Sequence, residues 1–193
     1  MKGRPTIHQD NELIQKAQAV FWEKGYSATS LTDLSTATGA GAGSLYNTFK
    51  GGKKELFKAA LQQRREDFNT FRRKLEGAEQ PLELIKEFFR SIANEDKHAH
   101  QRGCIVASTV VEMSFVDVEL KEEAVKILKE TEQMYTHFIE AEQKKGKLKT
   151  KLPAAVLGKY LITCWCGINT LRRMYPGKKV LAEQIELHLQ LIN

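Results

Sequence analysis

With 193 residues, 41% of them hydrophobic and only 4 of them proline, the chain has enough apolar material for a packed core of one large or two small domains, and it shows no internal repeat and no low-complexity tail. Its 30 lysines and arginines outnumber 24 acids for a net charge of +6, which permits a nucleic-acid partner without requiring one. Helix formers run through it almost unbroken, so the expected fold is all-α, with about nine helices.

Residues 1–7, carrying Lys2 and Arg4, read as a short basic arm. A helix follows from about Asp10 to Lys24, with Leu13, Ile14, Ala17, Val20 and Phe21 as its buried stripe and Gly25 as its stop. Ser30 to Phe49 reads as two short helices joined by a tight turn. Ser30 is a good N-cap, and Asp33 three residues on forms a capping box and suits the positive end of the helix dipole. Leu31 and Leu34 anchor the first helix and Gly39 ends it. The second runs from Gly41 to about Thr48, turns Leu45 inward with Phe49, and leaves Ser44, Tyr46, Asn47 and Thr48 outside. A small helix with an outward face of hydroxyls and amides suits the DNA major groove, which admits one helix and is read by short polar groups at base edges. Lys50, Lys53, Lys54 and Lys58 cluster just beyond it.

The next helix opens after Gly51-Gly52 and continues to about Glu76, with Leu56, Phe57, Ala60, Leu61, Phe68, Phe71 and Leu75 on one face. It is long for a three-helix module, so it is expected to link two domains, residues 7–68 and 69–193. Pro81 starts a helix that turns Leu82, Ile85, Phe88, Phe89 and Ile92 inward. Residues 94–103 read as a polar loop. Cys104 to Met113 is a short, nearly all-apolar helix and is therefore expected to be central, and residues 117–145 form a long amphipathic one with Leu120, Ile127, Leu128, Met134, Phe138 and Ile139. After the basic turn at residues 144–151, Pro153 opens a helix to about Tyr175, closed by Pro176-Gly177, and the last helix spans about residues 179–192. These last two are too apolar for the ends of a monomer. Val156, Leu157, Leu161, Ile162, Trp165 and Ile168 leave little polar face, which points to a second copy packed by two-fold symmetry.

Little else suggests chemistry. Three cysteines form no paired framework; with no bilayer-length apolar run and no leader-like start, the chain reads as cytoplasmic with reduced thiols and no membrane partner. Cys164 and Cys166 fall on opposite sides of a helix, and His98 and His100 lack matching ligands, so no metal site and no cofactor are expected. No nucleophile, base and oxyanion hole come together, so no enzyme is expected. Phe88, Phe89, Met113, Phe115, Met134, Tyr135, Phe138 and Trp165 form an aromatic and Met-rich middle that reads mostly as core. Phe88, Cys104, Met113, Met134, Phe138 and Trp165 are the candidates for lining a small-molecule pocket within it.

Several marks stand in fixed order. Residues 21–30 give Phe-x-x-x-Gly-Tyr-x-x-Thr-Ser, Gly39 makes a turn, residues 43–49 give Gly-Ser-Leu-Tyr-x-x-Phe, and Lys54-Glu55-Leu56-Phe57 opens the next helix. Over residues 7–68 the chain resembles the DNA-binding domain of the TetR/AcrR family of bacterial helix-turn-helix transcriptional regulators. The resemblance implies base contacts from Ala42, Gly43, Ser44 and Asn47, phosphate contacts from Tyr46 and Thr48, and backbone contacts from Ser30, Leu31 and Thr32. Lys53 would meet a phosphate at a helix N-terminus. Ala42 stands where many relatives carry a polar side chain, which shifts weight toward shape readout. The Lys50-Gly51-Gly52-Lys53 turn is one residue longer than the common form, which leaves Lys54 as the alternative to Lys53 for the phosphate contact.

The resemblance further implies a homodimer through the last two helices and a repressor on a palindromic operator, released when a small effector tilts the long linking helix. Gly103-Cys104, with Glu112 eight residues on, resembles a mark of several branches. Its functional reading is a thiol sensor of oxidants or electrophiles at Cys104; its plain reading is a small buried core residue. A helical interaction protein that has lost DNA binding is the third class.

Overall fold

The computed structural model describes residues 7–175 and 177–193, with side chains from Asn11 onward. The basic arm at residues 1–6 and the stop at Pro176 lie outside the described residues. Within them the chain is all-helical: α1 Ile7–Lys24, α2 Leu31–Thr38, α3 Ala42–Thr48, α4 Gly52–Glu76, α5 Pro81–Ala93, α6 Lys97–Arg102, α7 Ile105–Met113, α8 Val118–Lys144, α9 Ala154–Leu171, α10 Lys178–Leu189 and a closing 3-10 turn, Gln190–Ile192. The first helix begins three residues earlier than its apolar stripe suggests.

One helix corrects the polar-loop reading of residues 94–103. The Asp96 carboxylate accepts from the Ala99 amide at 2.8 Å and caps α6. The segment is polar because most of it faces water, and one turn of helix needs a cap more than an apolar stripe.

The helices form two compact units that do not follow chain order. Of the described residues, one unit holds those through Asp67 together with Ile105–Val125; the other holds those of Phe68–Cys104 and Lys126–Asn193. In the first, Ala17, Phe21, Leu34, Leu45, Leu56, Phe57, Ala60 and Leu61 are buried at the centre of the N-terminal helices. Phe21 meets Phe57 edge-on at 4.8 Å between ring centroids, and Tyr26 lies 5.0 Å from Phe57. Such ring pairs add ~0.5–1.5 kcal/mol each beyond the area they bury. A polar seam fastens α4 to the 105–125 segment. Lys54 Nζ lies 2.7 Å from Asp117 and 2.8 Å from Glu119, Lys58 pairs with Glu119, and Gln62 donates to Glu123. Val111 and Phe115 are exposed, which corrects two expectations: a central all-apolar helix at 104–113, and a core Phe115.

In the second unit, α5 is strongly two-faced, burying Leu82, Ile85, Phe89 and Ile92. Phe89 joins an aromatic cluster with Phe88, Tyr135 and Trp165; Phe88 stacks on Trp165 at 5.2 Å, and Phe71 and Phe68 extend it. The buried Arg172 guanidinium pairs with Glu95 and donates to the Gly103 carbonyl at 2.9 Å. A buried charge needs such partners.

Gly103 ends α6 with φ 65° and ψ −137°, and a Cβ there would lie 2.8 Å from the Asn169 carbonyl oxygen. Both the dihedral and the contact demand glycine. Gly103→Ala is expected to lower stability by about 2 to 4 kcal/mol, from backbone strain and overpacking together. Thermal melting followed by circular dichroism checks this; an unchanged midpoint would contradict it.

Candidate nucleic-acid interface

The interface is built from α2, α3 and the residues that fix their starts. Ser30 is extended at φ −90° and ψ 163°, its hydroxyl accepts from the Asp33 amide at 3.1 Å, and Asp33 accepts from the Ser30 amide at 2.9 Å. This is the capping box read from the sequence. Lys24, in the last turn of α1, reaches Asp33 at 2.6 Å. That hydrogen bond, followed by those from Ser30, holds the Asp33 carboxyl well below the usual range. The stability this pairing contributes is present above the ordinary carboxylate pKa and is lost as pH falls through the depressed one.

Gly39, left-handed at φ 72°, closes α2 with its amide on the Ser35 carbonyl. Three residues later α3 begins. Leu45 and Phe49 are buried as expected, and Ala42, Gly43, Ser44, Tyr46, Asn47 and Thr48 are all exposed. Thr32 is exposed at the front of α2, with Ser30 beside it and Leu31 half-buried. The structure therefore brings nine of the ten residues assigned to DNA onto the outer surface of one helix pair and its cap. Tyr46 is held rather than loose: its ring lies over Gly52, where a Cβ would come within 2.9 Å.

Lys53 is placed differently. Its Nζ donates to the carbonyls of Tyr26 and Thr29, both at 3.0 Å, and lies 4.4 Å from the centroid of the Tyr26 ring. Lys54 and Lys58 are engaged by Asp117 and Glu119. Asp117, then Glu119, pushes the Lys54 ammonium pKa up, and Lys54 in turn pulls both acids down. Of the four clustered lysines, Lys50 stands exposed. The acids that engage Lys54 and Lys58 lie far along the chain, 61 residues between Lys58 and Glu119, so no local pattern could have revealed them.

The residues assigned to a small molecule divide between the units. Met113 is buried in the first. In the second, Phe88 stacks on Trp165, Trp165 Nε1 donates to Cys104 Sγ at 3.3 Å, and Met134 and Phe138 are buried on α8. Cys104 is buried, as its plain reading expects. Burial pushes Cys166 up to about 11 and raises Cys164, so both thiols stay protonated and weakly nucleophilic at neutral pH. Two cavities open elsewhere on this unit. One, of about 390 Å³, is lined by Leu82, Lys86, Glu142 and Ile192; the other, of about 460 Å³, by Arg90, Lys178, Lys179 and Ile185. Among the described residues no three His, Cys, Asp or Glu side chains converge on a metal position, and no helix is long and apolar enough to cross a membrane.

Comparison with known proteins agrees with this geometry. Residues 13–60 match the family model of bacterial regulatory proteins, tetR family, and residues 77–186 match that of the tetracyclin repressor-like C-terminal domain. The chain is 26% identical over 160 residues to the HTH-type transcriptional repressor DhaR of Mycobacterium sp. (strain GP1), covering 80% of this chain and 77% of that one. It is 38% identical over 95 residues to the HTH-type transcriptional repressor ComR of Escherichia coli (strain K12), covering 48% of this chain and 45% of that one. Among solved structures, a cysteine mutant of the TetR family regulator CifR complexed with 26bp double-strand operator DNA superposes with a TM-score of 0.79 at 25% identity, over 99% of this chain and 100% of that one. Two helical units, a capped helix-turn-helix with a polar outer face and family matches across both halves converge: the chain belongs to the TetR family of bacterial regulatory proteins and is a DNA-binding transcriptional regulator.

Proposed function

We propose that the protein is a homodimeric repressor that binds a palindromic operator in the bacterial cytoplasm and is released by a small molecule. The observation that carries the DNA half is the outer face of α3, where Ser44, Tyr46, Asn47 and Thr48 are exposed together behind a capped α2. The dimer rests on apolar side chains that a single chain leaves in water along α9, α10 and the residues beside them: Val156, Leu171, Met174, Tyr175, Val180 and Leu187. Exposed apolar groups in such a row mark an interface, and a two-fold pair supplies two reading heads for an inverted repeat. Release fits the aromatic cluster around Phe88 and Trp165, with Cys104, Met134 and Phe138 near the centre of the second unit. A ligand there acts only through its difference in affinity between the DNA-bound and released states.

Selection of randomised duplex DNA by the purified protein, with the winners retitrated at several salt concentrations, is the test. An enriched inverted repeat with steep salt dependence is expected; absence of enrichment would contradict operator binding. On that duplex, Asn47→Ala is expected to relax preference at a few base positions, costing about 1–3 kcal/mol of discrimination. Tyr46→Ala is expected to weaken all sequences alike. Lys53→Ala separates its two roles: a phosphate contact predicts a salt slope smaller by about 0.9 per chain, whereas an unchanged slope with a lower melting point assigns it to the Tyr26 and Thr29 carbonyls alone.

Leu187→Glu places a charge on the outward side of α10. It is expected to give a folded monomer by analytical ultracentrifugation, with operator affinity reduced about 10²-fold by loss of bivalency. A dimer that persists would move the interface elsewhere.

A further inference from the structure

Residues 105–125 belong to the reading unit, although the chain on either side of them, at Cys104 and from Lys126 along α8, belongs to the other. This excursion meets the helix-turn-helix most directly at Glu112, in the last turns of α7. The Glu112 carboxylate accepts from two successive backbone amides, Tyr26 at 3.0 Å and Ser27 at 2.7 Å, 86 and 85 residues away along the chain. The approach requires glycine at 25: a Cβ on Gly25 would lie 3.0 Å from Glu112 Oε2, and the φ of 80° there disfavours any other residue.

The same loop is held from its other side. Lys53 takes the Tyr26 and Thr29 carbonyls, and the buried Thr29 hydroxyl donates to the Gly25 carbonyl at 2.6 Å. The next residue, Ser30, is the N-cap of α2. Two amides are thus taken by a carboxylate, two carbonyls by an ammonium, and the loop passes directly into the capped start of the helix pair. Short loops are ordinarily pliant because water satisfies their polar groups; here the partners are an acid on α7 and a lysine on α4.

We propose that Glu112 is a positioning residue for DNA recognition: by gripping the Tyr26 and Ser27 amides it sets the orientation of α2 and α3 from α7. A segment joined to the second unit at both ends thereby governs the reading head through one carboxylate. The seam of Lys54, Lys58, Asp117 and Glu119 supports the same segment, but these are solvent-facing ion pairs of the kind that contribute little. A carboxylate accepting two backbone amides is the stronger and more directional contact. The proposal rests on the operator-binding reading above.

The test compares the full-length wild type with Glu112→Gln and Glu112→Asp on the selected operator duplex and on an unrelated duplex, with hydrogen exchange at the Tyr26 and Ser27 amides. A glutamine has the same length but only one accepting oxygen, and its NH2 faces a donor. Glu112→Gln is expected to speed exchange at both amides and weaken operator binding about tenfold, the effect of losing one charge-assisted hydrogen bond. Unrelated DNA, held by charge alone, should change less than twofold. Glu112→Asp keeps the charge and should recover part of the loss. Operator affinity within twofold of wild type despite faster exchange overturns the proposal, as does an equal loss on both duplexes. Loss of helical signal by both variants makes Glu112 a plain structural clamp and overturns it too. If the wild type itself selects no operator, the repressor reading fails first and this proposal with it, an outcome distinct from a wild type that binds beside an unaffected Glu112→Gln.

Discussion

The reading head depends on how the six residues between α1 and α2 dispose of their backbone polar groups. Gly25 leaves α1 with its amide on the Phe21 carbonyl at 2.9 Å, and within five residues the chain must begin a new helix at a fixed angle. In open loops water takes the unpaired amides and carbonyls, and the loop wanders. In this loop the amides of Tyr26 and Ser27 and the carbonyls of Gly25, Tyr26 and Thr29 all have protein partners. Those partners are a carboxylate, an ammonium and a hydroxyl from three parts of the chain. The direction in which the locally capped α2 leaves the loop follows from that fixed start.

Charge in this protein is less available than its net value suggests. The +6 balance and the lysines after α3 suggest a phosphate-binding surface, yet Lys53 serves backbone carbonyls, and Lys54 and Lys58 serve Asp117 and Glu119. Lysines near a reading helix can be structural ties as readily as DNA contacts. Lys53 spends two of its three N–H donors on carbonyls, so a lysine that is both would meet a phosphate through the third and couple the geometry of the head to its affinity. The exposed hydroxyls and amide of α3 are unencumbered by comparison.

The second unit is organised by rings. Phe71, Phe88, Phe89, Tyr135 and Trp165 stack and cross in one cluster, and Cys104 lies against it under the Trp165 indole N–H. Close-packed aromatic cores resist small rearrangements and yield by discrete ones. That property supports the proposed release, in which a bound molecule would select one of two states rather than deform one. The buried Arg172 guanidinium, paired with the half-buried Glu95 and donating to the Gly103 carbonyl, pins the end of α9 to the α6 segment.

The sequence by itself determined what is local. The Ser30–Asp33 box, the Gly39 stop, the inward Leu45 and Phe49 and the outward Ser44, Tyr46, Asn47 and Thr48 follow from side-chain chemistry and a 3.6-residue period, both of which act within a few residues. The same holds for the all-α class and for the aromatic core positions at Phe89 and Trp165. Tertiary structure decided what depends on residues distant in the chain. It placed α7 and the start of α8 with the reading head, assigned Lys53, Lys54 and Lys58 to internal partners, put Phe115 in water, and brought Glu112 to the Tyr26 and Ser27 amides. A short polar helix at residues 97–102 was missed because capping by Asp96, not an apolar stripe, stabilises it. Hydrogen bonds and ion pairs are satisfied by whichever group the fold brings within about 3 Å, and separation along the chain carries no information about which group that is.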